Sequence, residues 1–209
     1  MVGGLVRDVV RLHPQIVVVD DGSRDETWRA AHEAGAVVIR HPINLGQGAA
    51  LQTGICLALD RGADLIVTFD GDGQHQVEDV ARMVIALDQA GADIALGSRF
   101  LGRTVSLPWA RRLLLKAATT FTWVTTGLRL TDTHNGLRVI TRNAARMLEL
   151  RQNRMAHASE ILHLIARLDL RFVEVPVTIV YTDYSLAKGQ RVSNLFNILG
   201  ELIGGRMQK

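Results

Sequence analysis

Five short runs that are close to continuously apolar, residues 16–19, 37–39, 65–69, 94–96 and Phe172–Val180, punctuate this chain. They are rich in β-branched residues and too short for buried helices, so they predict strands covered on both faces. Between the first four, apolar positions recur at helical spacing over 25–34, 48–61 and 77–90, with Asp79 in the first turn of the last. Strand alternating with helix predicts an α/β architecture, a mostly parallel sheet sandwiched between helices. The chain opens on a helical pattern, Val2–Leu12, with no strand signal before it. Such a core ordinarily begins with a strand, so the sheet is expected to lack its usual first one.

Beyond Gly97 the alternation loosens. A basic helix over 109–127 leads to a loop of Thr, Asp, His, Asn and Gly. Helices over 143–149 and 159–168, one further strand and an amphipathic helix over 192–203 follow. There is no repeat or low-complexity tract, and the pattern reads as one domain over 1–209. Residues 1 to about 100 form a nucleotide-binding half and about 101–209 an acceptor-side half.

Composition narrows the partners. The 209 residues are 47% hydrophobic and 22% charged, enough to build a core. Net charge is +3, and Arg99, Arg103, Arg111, Arg112 and Lys116 crowd one turn-and-helix stretch, which favours anionic partners. The basic residues are not interleaved with aromatics and no nucleic-acid module is recognisable, so nucleic acid is excluded. The single cysteine, Cys56, rules out an intrachain disulfide and lies in an apolar helical run over 51–59, where a buried structural thiol is expected. No signal-type apolar region opens the chain, and the most apolar windows, 113–130 and 195–203, are interrupted by Lys116, threonines, Glu201 and glycine. A cytoplasmic protein, soluble or peripheral on the inner face of a membrane, is the expectation.

The candidate chemistry sits where apolar runs end. Phe69-Asp70-Gly71-Asp72-Gly73-Gln74-His75 follows 65–69 directly, and in an open parallel sheet ligands gather beyond the carboxyl ends of strands. Two carboxylates astride a glycine can turn to one point and hold Mg²⁺ or Mn²⁺, with Gln74 or His75 completing the shell. An Asp/Gly turn that merely ends a strand is the plainer account. Val19-Asp20-Asp21-Gly22-Ser23 ends the first run, placing Asp20 or Asp21 to accept hydrogen bonds from a nucleotide, with Ser23 or Asp25 capping the next helix. Asn44-Leu45-Gly46-Gln47-Gly48 either presents backbone N–H groups to an anion or makes a tight helix entry. Arg99, in Gly97-Ser98-Arg99 after 94–96, suits phosphate, and Lys188 on a Gly-ended loop serves similarly. Asp132, His134, His157 and Glu160 form an unranked pool for a general base.

With V-D-D-G-S, N-x-G-x-G-x-A, F-D-G-D-G-Q-H and G-S-R in this order, from about Val17 to Gln190, the chain resembles the family-2 glycosyltransferases, inverting enzymes of GT-A type. It is most similar to the polyprenyl- or dolichyl-phosphate sugar synthases. The resemblance implies a UDP- or GDP-sugar donor, held by Asp20, Asp21, Gly22, Ser23, Gly46, Gly48, Asp70 and Gly71. It implies Mg²⁺ or Mn²⁺ on Asp70, Asp72 and Gln74, and catalytic roles for Asp72, Arg99 and Asp132. The acceptor would be a polyprenyl phosphate or a bacterial cell-envelope glycan, met by Arg99, Arg138, Glu160 and Lys188. A phosphate acceptor is already an anion and weakens the need for a base. Family members carry a P-x-Y/N-E type motif on their first strand, and nothing before Val2 supplies it. The competing readings are a truncated or non-catalytic nucleotide-binding relative and a D-x-D phosphatase. A homo-oligomer is compatible with the sequence.

Overall fold

A computed structural model describes residues 2–13, 15–105 and 109–181. In chain order the elements are α1 (Val2–Leu12), β1 (Val17–Asp20), α2 (Thr27–Glu33), β2 (Val37–Arg40), α3 (Gln47–Asp60), β3 (Leu65–Thr68) and α4 (Glu78–Gln89). There follow β4 (Ile94–Val105), α5 (Trp109–Thr126), β5 (Arg138–Thr141), α6 (Arg142–Met147), α7 (His157–Arg167) and β6 (Phe172–Val180). All five predicted strands and the predicted helices within these residues form. Lys188 and the predicted helix over 192–203 lie outside the described residues.

Strands β1 and β2 pair in parallel, and β3, β5, β4 and β6 form a second sheet in that order. Only β5 runs against its neighbours, and β4 and β6 are parallel. Sequence reading missed β5. Arg138-Val-Ile-Thr is four residues long with no alternation, and what makes it a strand is pairing on both edges, to β3 and to β4. It also read β4 as ending at Leu96. Strand β4 instead continues through Gly97-Ser98-Arg99, shifting register on β6 between Ser98 and Arg103, where a side chain on Gly102 would strike the Val177 backbone.

Three apolar clusters hold the layers. Val6 of α1 with Ala31, Ala34 and Ala36 covers one face of β1 and β2. Ile55, Ile140, Leu148, Ile161 and Ile165 pack α3, α6 and α7 on one face of the larger sheet, and Val80, Met83 and Leu87 pack α4 on the other. The spacing of those three α4 residues puts them on one helical stripe, and each contributes roughly 1.5–3 kcal/mol by burial. Asp79, in the first turn of α4, accepts from Thr178 N–H and ties that helix to β6. Cys56 breaks with expectation: it lies on the outer side of α3 and is exposed, because α3 turns Gly48 and Ile55 inward instead.

Among the described residues, strands β1 and β3 do not pair with each other, and between them opens a groove of about 530 Å³ walled by Val17, Val19, Leu65 and Val67 and floored by Gly54 and Ala58 of α3. Leu65 and Val67 are 39% and 37% exposed there, high for a strand otherwise inside a sandwich. At its upper end the groove reaches Asp70, Gly71, Arg138 and His157.

Candidate active site

The carboxyl ends of β1 and β3 bring Asp20, Asp21, Asp70 and Asp72 to one end of the molecule. Asp70 accepts hydrogen bonds from Gln47 Nε2 and His75 Nε2, both at 3.2 Å. Burial works against its ionised form, but the hydrogen bond and charge of His75, with Arg138 and His157, overcome that and hold the carboxyl below its usual 3.8. Asp72 is pushed the other way. Burial raises it, the Gln74 N–H at 3.1 Å offsets part of this, and the charge of Asp70 raises it further. The loop carrying both is pinned by the His75 ring edge-on to Phe69 and by Val180 N–H donating to Gln74 C=O. Gln74 thus contributes backbone on both sides. A side chain on Gly71 or Gly73 would meet nothing, so their backbone faces open space.

Two like charges whose ionisation costs one another are a pair that a cation would relieve. Among the described residues no three His, Cys, Asp or Glu side chains converge. The donor set therefore fits a hard ion such as Mg²⁺ or Mn²⁺, held by one or two carboxylates with phosphate oxygens and water filling the rest, and does not fit an all-protein cage.

Around Asp20 and Asp21 the loops supply most of the hydrogen bonds, with Asp20 Oδ2 left without one. Asp20 is buried, accepts from Ser23 N–H at 3.2 Å and faces Arg40. Asp21 takes His41 Nδ1 at 2.8 Å and the N–H groups of Leu45 and Gly46 at 2.9 and 2.7 Å. Burial opposes its charge, but these bonds outweigh it and lower its carboxyl below 3.8. The expected anion at the 44–48 loop is thus the carboxylate of Asp21 itself. Gly48 and Ala49 N–H groups donate to Asn153 C=O, and a side chain on Gly48 would stand 1.9 Å from Gln152 O. Here tight helix entry is the account that holds, and those amides are not free for a ligand. Gly22, at φ 70°, similarly lets its loop close on Ile43 and Asn44.

Arg99 is not a loose cation in a crevice. Buried within β4, it donates from Nε to Asp132 Oδ2 at 2.6 Å, from one terminal nitrogen to Tyr181 Oη at 2.7 Å and from the other to His134 C=O, while its own N–H also meets Asp132. Where the sequence suggested a phosphate contact, three of the five N–H groups of the Arg99 side chain are engaged within the protein, by Asp132, His134 and Tyr181. Glu174 of β6 holds the same loop from outside, accepting from Thr131 N–H and Oγ1 and from Asp132 N–H. Sequence reading did not find Glu174, Tyr181 or Gln47, which lie far along the chain from the groups they hold. Glu160 is likewise committed, accepting from Arg151 and Gln152 N–H.

Among the described residues, Arg138, buried at the start of β5 and set electrostatically between Asp70 and Asp132, is the cation at the groove's upper end. Burial lowers its pKa, and those two carboxylates oppose the shift. The neighbouring His134 is lowered to about 4 by burial, against the pull of Asp132 and with the push of Arg99 and Arg138, so it is neutral at neutral pH. His157 is also lowered, first by burial.

The α/β sandwich with this carboxylate pair at its strand ends is that of the GT-A glycosyltransferases. Mycobacterium tuberculosis glucosyl-3-phosphoglycerate synthase, in complex with Mn²⁺, uridine diphosphate and phosphoglyceric acid, has the same fold at TM-score 0.72 and 16% identity, over 97% of this chain and 71% of that one. The family model for glycosyl transferase family 2 matches residues 2–148, and the chain belongs to that family and is a glycosyltransferase enzyme. Its affinity within the family is to the polyprenyl-phosphate sugar synthases. The UDP-N-acetylglucosamine–dolichyl-phosphate N-acetylglucosaminyltransferase of Methanococcus voltae is 30% identical over 94% of this chain and 87% of its own. The undecaprenyl-phosphate mannosyltransferase of Micrococcus luteus is 32% identical over 88% and 79%. These relatives are archaeal as well as bacterial, so a bacterial setting does not follow. No helix among the described residues is long and apolar enough to cross a membrane.

Proposed function

We propose that this chain transfers a sugar from a UDP- or GDP-sugar to a polyprenyl phosphate, with inversion, in a reaction that depends on Mg²⁺ or Mn²⁺. The observation that carries the reading is the Asp70/Asp72 pair on the loop after β3, with Gln47 and His75 bonded to Asp70 and buried Arg138 beside it at the groove's upper end. Asp70 and Asp72 would hold the metal, which when bound supplies positive charge to the donor's diphosphate.

The chain's own residues do the rest. Gly71 offers open backbone to the donor, while Asp20 and Asp21 shape the loops on the nucleotide side. An acceptor phosphate oxygen attacks the anomeric carbon from the side opposite the diphosphate. The new carbon–oxygen bond forms as the old one breaks, and its electron pair leaves on the nucleoside diphosphate. Arg138 places a fixed positive charge where the acceptor phosphate approaches. Arg99 and Asp132 act as positioning residues that keep the 131–138 loop in place. An acceptor that is already an anion needs no base, and among the described candidates His134 sits at about 4, Glu160 and Asp132 are bound to N–H groups, and His157 alone lines the groove. Relatives named for dolichyl and undecaprenyl phosphate support the same acceptor class, and a Mn²⁺ complex of a structural neighbour supports the metal. A lipid-linked acceptor of the kind named for those relatives supports a cytoplasmic protein peripheral to the membrane that holds it.

The open groove between β1 and β3 favours a second reading, a nucleotide-binding relative that transfers nothing, because among the described residues no backbone bridges those two strands on the donor side. Calorimetric titration with UDP and GDP, with and without Mn²⁺, followed by transfer assays on polyprenyl phosphate, separates the two. Metal-dependent binding with transfer supports the first, binding without transfer the second, and no binding overturns both.

A further inference from the structure

His157 is tied down at one ring nitrogen and open at the other. It is the first residue of α7 and is 4% exposed. Its Nδ1 lies 2.7 Å from Arg154 C=O, and since a carbonyl can only accept, Nδ1 carries the ring proton. Nε2 is then a lone pair, and among the described residues nothing donates to it. Nor is it one of the atoms sealed from solvent without a partner, so it opens on the groove that His157 lines. Helix α3 closes on the same residue, since a β-carbon on Gly48 would stand 2.8 Å from His157 Cβ. A second proton on the ring is opposed by burial first and then by Arg138, against the pull of Arg154 C=O, Asp70 and Glu160. The positive end of α7 opposes it further.

A fixed, neutral lone pair selects its partner. It needs an uncharged O–H or N–H donor. A metal held by Asp70 and Asp72 is not that partner, because among the described residues no three His, Cys, Asp or Glu side chains converge to hold an ion. Phosphates are not either: their ionised oxygens would bring lone pairs to a lone pair, and Arg138 stands beside them for that purpose. The nucleoside side of the donor belongs to the loops of Asp20 and Asp21, at the end of β1. What remains beside Asp70 is the sugar, whose every hydroxyl is a donor.

We propose that His157 reads one hydroxyl of the donor sugar, accepting its hydrogen bond at Nε2, and is a specificity-determining residue of the transfer. The inference rests on the sugar-donor reading above. No proton changes hands in this contact. A site with an oriented acceptor rejects a sugar that lacks the matching hydroxyl, because Nε2 is then left desolvated and unpaired.

Two replacements separate the two ring nitrogens. His157→Asn keeps an N–H for Arg154 C=O and places nothing at Nε2, whereas His157→Gln places an amide oxygen near Nε2 and gives up the Arg154 bond. Calorimetry with Mn²⁺ compares UDP, GDP, UDP-glucose, UDP-N-acetylglucosamine and GDP-mannose, and then deoxyfluoro forms of the sugar nucleotide that the parent binds. Melting curves check that each variant folds. The asparagine variant should bind the bare nucleoside diphosphate as the parent does and the sugar nucleotide about ten-fold more weakly, and glutamine should recover part of that loss. In the parent, one deoxyfluoro position should cost a similar factor. In the asparagine variant that same position should cost nothing further, because its partner is already gone. A His157 that only braces the fold would lower both affinities together and leave no position special, and that result overturns the proposal. So does an unchanged sugar-nucleotide affinity with slower single-turnover transfer, which would make Nε2 a base. Sugar-nucleotide binding that is indifferent to His157 defeats this inference alone, whereas a folded parent that binds no nucleotide defeats the donor reading and this inference with it.

Discussion

The carboxylate of Asp70 occupies the space that a side chain at Gly136 would need, since a β-carbon there would stand 2.0 Å from Asp70 Oδ2. Thr68 Oγ1 donates to Gly136 C=O at 2.6 Å and fixes this approach from the last residue of β3. The loop that positions the acceptor side is thus pressed directly onto a candidate metal ligand.

Gly136→Ala should therefore swing Asp70 away. The obstructed atoms are the movable end of a side chain, so stability should change by no more than about 1 kcal/mol. Mn²⁺-dependent nucleotide affinity should fall by roughly 10- to 100-fold. Calorimetry beside a melting curve checks both, and intact affinity would mean that Asp70 does not hold the ion.

Asp72→Asn should abolish metal-dependent nucleotide binding while raising stability slightly at neutral pH. The sign follows from its raised folded pKa: the protonated form is the one the fold prefers, so stability is lost as pH rises through that pKa, and a neutral amide avoids the loss. In the parent protein, Mn²⁺-dependent affinity should begin to fall with pH while still above 3.8, as Asp72 takes up its proton, with the Asp70 step below 3.8. A titration series across pH reads both steps. An Asn variant with undiminished Mn²⁺ response would remove Asp72 from the site.

Arg99→Ala leaves Asp132 buried without its partner, so it should cost about 3–5 kcal/mol and take activity down with the fold. Arg99→Lys retains the charge but lacks the planar fork that reaches Asp132, Tyr181 and His134 together, and should recover only part of the loss. Urea unfolding of both variants checks this. An alanine variant that is fully stable yet inactive would return Arg99 to phosphate binding.

How far these residues could be read from sequence depends on how local their partners are. Asp70 and Asp72 are legible because an apolar strand and two glycines place them, and all of that lies within one short stretch. The partners of Arg99 are hidden because Gly-Ser-Arg looks like a strand end, whereas Asp132 and Tyr181 lie 33 and 82 positions away. Strand β5 is hidden for a related reason: four residues become a strand only between two partners that the local pattern does not announce. Glu174 looks like an outward charge on a strand until the 131–132 backbone is folded against it.

Asp21 offers a test of the loop architecture that needs no ligand. It accepts from His41, Leu45 and Gly46, and its lowered carboxyl means that the stability it contributes is present above pH 3.8 and lost as pH falls through its folded pKa. Asp21→Asn weakens the acceptor of two backbone N–H groups and should cost about 1–3 kcal/mol at pH 7. The difference from the parent should shrink as pH drops below 3.8 and be gone below the still lower folded pKa, where the parent's carboxylate is itself protonated. Amide exchange at Leu45 and Gly46 should quicken in the variant at neutral pH, because those N–H groups lose their charged partner. A cost that stays the same on both sides of that titration would mean that packing of Gly22 against Ile43 and Asn44, and not the Asp21 carboxylate, holds the two loops together.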